Sequence, residues 1–298
     1  LTVTETDSLN IGLNATQNVT TSNGAVSITA ANSIVGLGNL TAGGTLGNVT
    51  LTSTNNGVTF NTFAGQVSGN VLNVVSQTNS TLNTNVANLT AGVSNGSLTI
   101  VERDNLVINA GSDVTASNDI SITVGNAAVG NLTGTGNIVS TSGNVTLTVA
   151  NTTGGNVTLT AGTITGDVLN ITAVNTSAVN TSINTIVGKV TGQNQGLTVT
   201  ETSDLSIGAG NLTANGGLIS IRALGGTGIN GVGYLNAGTG NVTLNAPSGS
   251  IVLNANASQV TGNVLAVRSS ADSYLRTNVS NLAALITAGG INVGEAND

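Results

Sequence analysis

Eight of the twelve acidic residues stand in four pairs: Glu5 with Asp7, Glu102 with Asp104, Glu201 with Asp204, and Glu295 with Asp298. Carboxylates gathered in this way are what a hard cation such as Ca²⁺ takes, at roughly six to eight oxygens per ion. Two carboxylates fall short of that shell unless backbone carbonyls and water complete it, and Arg103 intrudes on one pair. The glycine-rich calcium repeat Gly-Gly-x-Gly-x-Asp is also missing, since Gly225-Gly-Thr-Gly-Ile-Asn230 ends in Asn. The pairs read first as solvated turns that keep the molecule soluble. No metal or cofactor is expected, with Ca²⁺ at these eight residues as the alternative.

Other chemistries are thinly supplied. With no His and no Cys, imidazole and thiolate metal sites, Ser-His-Asp triads and Cys-His dyads are excluded. An enzyme acting on polysaccharides would need carboxylates, alone or with Arg or Lys, converging on one groove. Asp113 and Asp119 have no base near them in sequence, and Lys189 and Arg222 have no acidic neighbour. Asp272 lies between Arg268 and Arg276, without a counterpart in the related stretches of the chain. These charges read as surface groups, and the chain is expected not to be an enzyme. Thr-x-Thr pairs (Thr50/Thr52, Thr146/Thr148, Thr158/Thr160) would suit ice binding if they recurred on every turn of the fold. In sequence they return only once per long repeat. Of four aromatic residues, Phe60 and Phe63 are expected to fill a wide interior, and Tyr234 and Tyr274 are the others. Asn-x-Ser/Thr sequons, as at Asn18, Asn48, Asn144, Asn156 and Asn241, read mostly as strand turns, and as exposed glycan sites in a host that uses them.

The elements that would position these residues are strands. Only 6% of residues are charged, against roughly 25% in ordinary globular domains. The 41 Gly residues and many Asn break short alternating runs such as Val26-Ser27-Ile28 and Val49-Thr50-Leu51. Alternation of β-branched residues between such breakers is the strand-and-turn signature. Self-similarity organises the runs. Leu1-Thr-Val-Thr-Glu5 returns as Leu98-Thr-Ile-Val-Glu102 and Leu197-Thr-Val-Thr-Glu201, and begins again at Ile291-Asn-Val-Gly-Glu295. Asn48-Val-Thr-Leu-Thr52 returns at Asn144 and Asn241, and Val67-Ser-Gly-Asn-Val-Leu72 at Ile164 and Val260. Leu82-Asn-Thr-Asn-Val86 returns as Val179-Asn-Thr-Ser-Ile183 and Leu275-Arg-Thr-Asn-Val279. The chain is therefore read as one continuous segment of three tandem repeats, 1–97, 98–196 and 197–290, with the start of a fourth at 291–298.

Strand-like units step along each repeat at about 20 to 29 residues, the length of one coil of a β-solenoid. Four coils per repeat and about 12 in all are expected, each burying its Val, Ile and Leu on the coils above and below. Val26, Ile28, Val49, Leu51, Val71, Val145, Leu147, Val242 and Leu244 are expected to point inward. The chain begins and ends in phase with the repeat, which reads as an excerpt of a longer array.

These Asn-, Thr-, Gly- and Val-rich tandem repeats, with their Gly-Asn-Val-Thr-Leu rungs and Leu-Thr-Val-x-Glu unit, resemble the repeat regions of filamentous haemagglutinin-like exoproteins exported by two-partner secretion. The resemblance implies a right-handed parallel β-helix displayed outside the cell, at the cell surface, with adhesive or biofilm roles. The expected function is the structural shaft of a giant adhesin or extracellular filament. The alternatives are a self-assembling fibre or sheath subunit, or a polysaccharide-acting β-helix enzyme. Expected partners are neighbouring repeats of the same chain, with lateral or end-to-end self-association. A net charge of −7 with five dispersed basic residues gives no footprint for nucleic acid or anionic membrane. No run approaches the roughly 18 apolar residues of a spanning helix.

Overall fold

The computed structural model describes residues 1–12, 14, 16–44, 47–63 and 66–296; Asp298 lies outside them. The chain is an all-β parallel β-solenoid of about 13 turns, with no helix among the described residues. Packing divides it into two units, Leu1–Gly155 and Asn156–Asp298. The boundary falls inside the second sequence repeat.

Unit 1 shows how alternation becomes a coil. Val26–Ala30 stacks in register on Val49–Ser53, so that Val26 meets Val49 and Ile28 meets Leu51. All four are fully buried, while Ser27 and Thr50 face outward, half-buried. Every β residue of this kind points to the opposite face from its neighbours. Each coil thus lays an apolar layer on the next and presents hydroxyls and amides to water. Coil length in unit 1 varies from 17 residues (Asn73 to Thr90) to 27 (Leu40 to Val67). The strands keep register while the corners absorb the difference. Phe60 shows how close the fit is. It is fully buried above Gly36, where an added Cβ would come within 2.0 Å of its ring. Phe63, expected beside it in the core, is only half-buried.

The coil count differs from the sequence reading for a specific reason. Ten strands run from Thr2–Glu5 to Ser80–Val93. Val67–Ser76 pairs with two different partners, Leu40–Ala42 and Val49–Ser53, and so turns one corner without a loop. Ser80–Val93 turns two more, pairing in succession with Val58–Phe60, Val67–Gly69 and Val71–Ser76. The first repeat therefore spans thirteen face-lengths of a three-faced coil, or four and one-third turns rather than four. Leu98–Glu102 accordingly stacks on the face of Leu9–Ile11 and Ile34–Gly36, next to the one that carries Thr2–Glu5. Unit 2 repeats the arithmetic. Leu197–Glu201 lies in a column with Ile219–Ala223 and Val242–Ala246, whereas Ile291–Glu295 stacks on Ser273–Thr277 in the adjoining column.

The loop-free corners also move the alternation by one residue. Val26, Ile28, Val49, Leu51, Val145, Leu147, Val242 and Leu244 are buried as expected. Val71 is not. Leu72 takes the inward place, stacked on Val49, with Val71 half-buried at the bend. The same shift puts Leu169 and Leu265 inside rather than Val168 and Val264. Replacing Leu72 by Ala is expected to cost about 2–5 kcal/mol in chemical denaturation, the usual range for a fully buried Leu. Val71→Thr should cost under about 1 kcal/mol, as for a surface change. Equal losses at both positions would contradict this register.

Candidate functional site

The acidic junctions are where the sequence placed its chemistry, and their geometry begins at a corner. Ser80–Val93 bends tightly near Thr84 to Val86, while the next coil leaves the same corner through a turn at Arg103 and Asp104. The backbone N–H of Val86 points at the next coil but meets no carbonyl there. A buried N–H without an acceptor is costly. Glu102 supplies the acceptor. Its Oε2 takes the Val86 N–H at 3.0 Å and the Thr84 hydroxyl at 2.8 Å. Its Oε1 turns outward and takes the N–H groups of Arg103 at 2.7 Å and Asp104 at 3.2 Å. Glu102 and Thr84 are both fully buried.

The other copies repeat the device. Buried Glu201 accepts from Ile183 N at 3.0 Å and from the N–H and hydroxyl of Ser203, both at 2.8 Å. Glu295 accepts from the Thr277 hydroxyl at 2.7 Å and from Val279 N at 3.3 Å. Glu5, in the first coil, caps its own turn through Thr6 N at 2.8 Å. Two sequence anchors are therefore one physical unit: the Glu of Leu-Thr-Val-x-Glu takes the Val or Ile N–H of the preceding coil's Thr-x-Val or Thr-x-Ile in all three, and the Thr hydroxyl at Glu102 and Glu295, while Thr181 donates to the Thr200 carbonyl instead. The expectation of solvated turns is corrected at Glu102 and Glu201, which are buried structural acceptors. It describes the exposed Asp7, whose carboxylate accepts from Asn32 Nδ2 at 3.2 Å. Asp104 is half-buried, and Asp298 lies outside the described residues.

Side chains that the sequence reading passed over do similar work. Ser80, Ser177 and Ser273 recur at one repeat position, four residues before the clasp threonine. Their hydroxyls accept Val58 N, Val157 N and Ile251 N at 2.9–3.0 Å. Gln66 is buried at a wide corner, donating to the carbonyls of Gly36 and Gly38 while accepting Thr62 N, and Gln259 does the same for Gly231 and Gly233. The signal was present in the Ser-x-Leu-Asn-Thr run from Ser80 to Thr84 and its copies, but a hydroxyl at an inward position reads as surface until the corner is known. On the outside, Asp113, Asp119 and Asp272 each accept an N–H of the next coil, from Asn137, Asn144 and Gly290 at 2.7–2.8 Å. Asp204 accepts from Thr227 N at 2.8 Å, Gly228 N at 2.9 Å and the Thr227 hydroxyl.

What the arrangement does chemically is hold backbone. No group of three or more Asp or Glu converges among the described residues. The Thr-x-Thr expectation is also amended. Thr2/Thr4, Ser27/Thr29 and Thr50/Thr52 stack on consecutive coils, and the rows then meet Asn73 and Val75. No described helix is long and apolar enough to cross a membrane. Against protein-family models, curated proteins and solved structures, the chain matches none.

Burial raises the Glu102 carboxyl above its unperturbed value of 4.5, outweighing the lowering by Thr84, Val86, Asp104 and Arg103. The folded chain thus keeps a proton on Glu102 at pH values where the unfolded chain has lost it. Through this group, stability increases as pH falls from above the folded pKa to below the unfolded one. Asp204 has the opposite sign. Hydrogen bonds from the Thr227 side chain and Gly228 N lower it, so its contribution is present above the unfolded pKa and lost as pH falls through the folded one. Glu102→Gln places an amide N–H₂ against N–H or O–H donors, and is expected to cost roughly 1–3 kcal/mol. Urea titrations of both proteins should show that deficit widening on acidification, since only the wild type gains from protonation; a shrinking deficit would contradict the assignment. EDTA is expected to leave the melting temperature unchanged, because the oxygens of Glu102 and Glu201 already face donors. A fall of several degrees would reveal a bound cation that stabilises the fold by mass action.

Proposed function

We propose that this chain is a stretch of the structural shaft of a large surface-displayed adhesin or extracellular filament, and that it is not an enzyme. The observation that carries the reading is the use made of its buried polar groups. Glu102, Glu201, Gln66, Gln259 and the recurring Ser80, Ser177 and Ser273 serve backbone groups of a neighbouring coil, and Thr84 and Thr277 hold the Glu102 and Glu295 carboxylates. An active site needs such groups aimed at a substrate instead. A coil stack whose internal polarity is committed to its own ladder is suited to length and stiffness. In such a stack each coil depends mainly on its neighbours. The resemblance of the repeats to filamentous haemagglutinin-like exoproteins supports the extracellular placement.

Deletion of Leu98 to Gly196 tests the reading. It joins Ser97 to Leu197, so that Leu197–Glu201 would stack on Ser80–Thr84 as it now stacks on Ser177–Thr181. Glu201 would then meet Thr84. The expected product is a shorter solenoid with the same circular-dichroism shape and a cooperative melt. Val145→Asp should do more harm than the whole deletion, because it buries an unpaired carboxylate in the stack. Loss of folding on unit deletion would sink the shaft reading, as would a hydrolytic or lyase activity lost with a few polar residues. Antibody labelling of intact cells making the tagged gene product should find it outside, and micrographs would show single rods or ordered bundles. Purely internal label would refute surface display.

A further inference from the structure

Asn followed by Gly is a chemically labile pair. With no Cβ in the way, the glycine nitrogen can reach the asparagine side-chain carbonyl. The chain holds such pairs at Asn23, Asn56, Asn95, Asn215 and Asn230. Attack needs that nitrogen free of other bonds, and the fold holds it at four of them. Gly96 N donates to Ser117 Oγ at 2.8 Å. Gly216 N reaches the Ala214 carbonyl at 3.1 Å, and the Asn215 amide is itself tied to the Thr191 carbonyl at 3.2 Å. Gly231 belongs to the strand Gly228–Gly231, laddered to coils on both sides. Gly24 N meets the Gly43 carbonyl at 3.3 Å, the longest of these contacts.

Asn56-Gly57 is the exception. At its corner both main-chain carbonyls are taken. That of Asn56 accepts Gln77 N at 3.0 Å and Thr78 N at 3.3 Å, and that of Gly57 accepts Ile34 N at 3.2 Å. The next N–H along, of Val58, has the Ser80 hydroxyl at 2.9 Å. The Gly57 N–H has no acceptor among the described residues, and the Asn56 side chain makes no hydrogen bond there. Both residues are half-buried, so water reaches the corner. Nor can the glycine be exchanged, because an added Cβ would come within 1.9 Å of the Asn79 carbonyl oxygen. The fold thus requires the labile partner while leaving its nitrogen free.

We propose that Asn56 is a site of self-modification, converting to aspartate and isoaspartate in the folded chain well ahead of the other four pairs. Gly57 N bonds to Asn56 Cγ as its proton passes to water, and the Cγ–Nδ2 bond breaks to release ammonia. Water then opens the resulting succinimide ring at either carbonyl. One water enters, one ammonia leaves, and nothing is oxidised or reduced. In isoaspartate the main chain runs through Cβ and Cγ. The carbonyl that now receives Gln77 and Thr78 then leaves the main chain as a carboxylate, and the coil lengthens by one atom at a stacked corner. The modification goes beyond the shaft role and does not depend on it.

Folded chain would be warmed in mildly alkaline buffer made with heavy-oxygen water, and each pair followed by peptide mapping in a mass spectrometer. Asn56 should convert about tenfold faster than Asn95, Asn215 and Asn230, the rate equivalent of one hydrogen bond that must first be broken. Asn23 should fall between. In urea the five rates should come within a few-fold of one another. Ser117→Ala frees Gly96 N, and should speed conversion at Asn95 while leaving Asn56 unmoved. Chain aged until Asn56 has converted should melt below fresh chain, whereas Asn56→Ser aged alike should keep its melt. An Asn56 no faster than Asn95 in the folded chain, a spread of rates that survives in urea, or an Asn95 unmoved by Ser117→Ala would each overturn the proposal.

Discussion

A parallel coil stack must find an acceptor for each buried backbone N–H, usually one coil away, and here inward side chains complete that ladder where the coils differ in length. Along the flat strands the ladder takes care of itself. At the corners it does not, because a tight bend in one coil lies beneath a looped turn in the next. Val86, Val58 and Ile251 are N–H groups stranded by such mismatches, and Glu102, Ser80 and Ser273 are their acceptors. Gly36 and Gly38 are stranded carbonyls, and Gln66 is their donor. The inward polar residues are therefore a set of corner repairs. Their positions follow the changes in coil length.

That constraint explains why the repeat has the anchors it has. Leu-Thr-Val-x-Glu and the Thr-x-Val of the preceding coil recur together because one carboxylate bridges them. An ionised carboxylate inside a coil is tolerable only because several donors surround it. Even so, burial prevails at Glu102 and pushes its carboxyl upward. Thr84, at the floor of this clasp, has a hydroxyl able to reorient as the carboxylate gains or loses its proton.

Much of the fold was legible in the sequence, and the failures have a common cause. Val49, Leu51, Val145 and Leu147 announced their inward direction because Gly or Asn marks where each strand begins. Between Val67 and Val93 three corners pass inside continuous strands, and at the first of them Gly69-Asn70 sits in the bend itself, so that it reads as the break before a strand beginning at Val71. Hence Val71 was chosen over Leu72, and a third of a turn was missed in each repeat. The roles of Ser80 and Thr84 were hidden for the same reason: which way a hydroxyl points depends on a bend that only the pairing reveals.

The extra third of a turn bears on how such arrays change over generations. Tandem copies are prone to unequal recombination, which adds or removes whole units. Here a gain or loss of one copy keeps every strand in register, since a new unit begins wherever the old one stopped. It nevertheless starts the following unit one column over, as Leu98–Glu102 starts on the face of Leu9–Ile11 rather than on that of Thr2–Glu5. Copy number thus sets the number of coils and the face on which each later unit begins together, without altering a single codon.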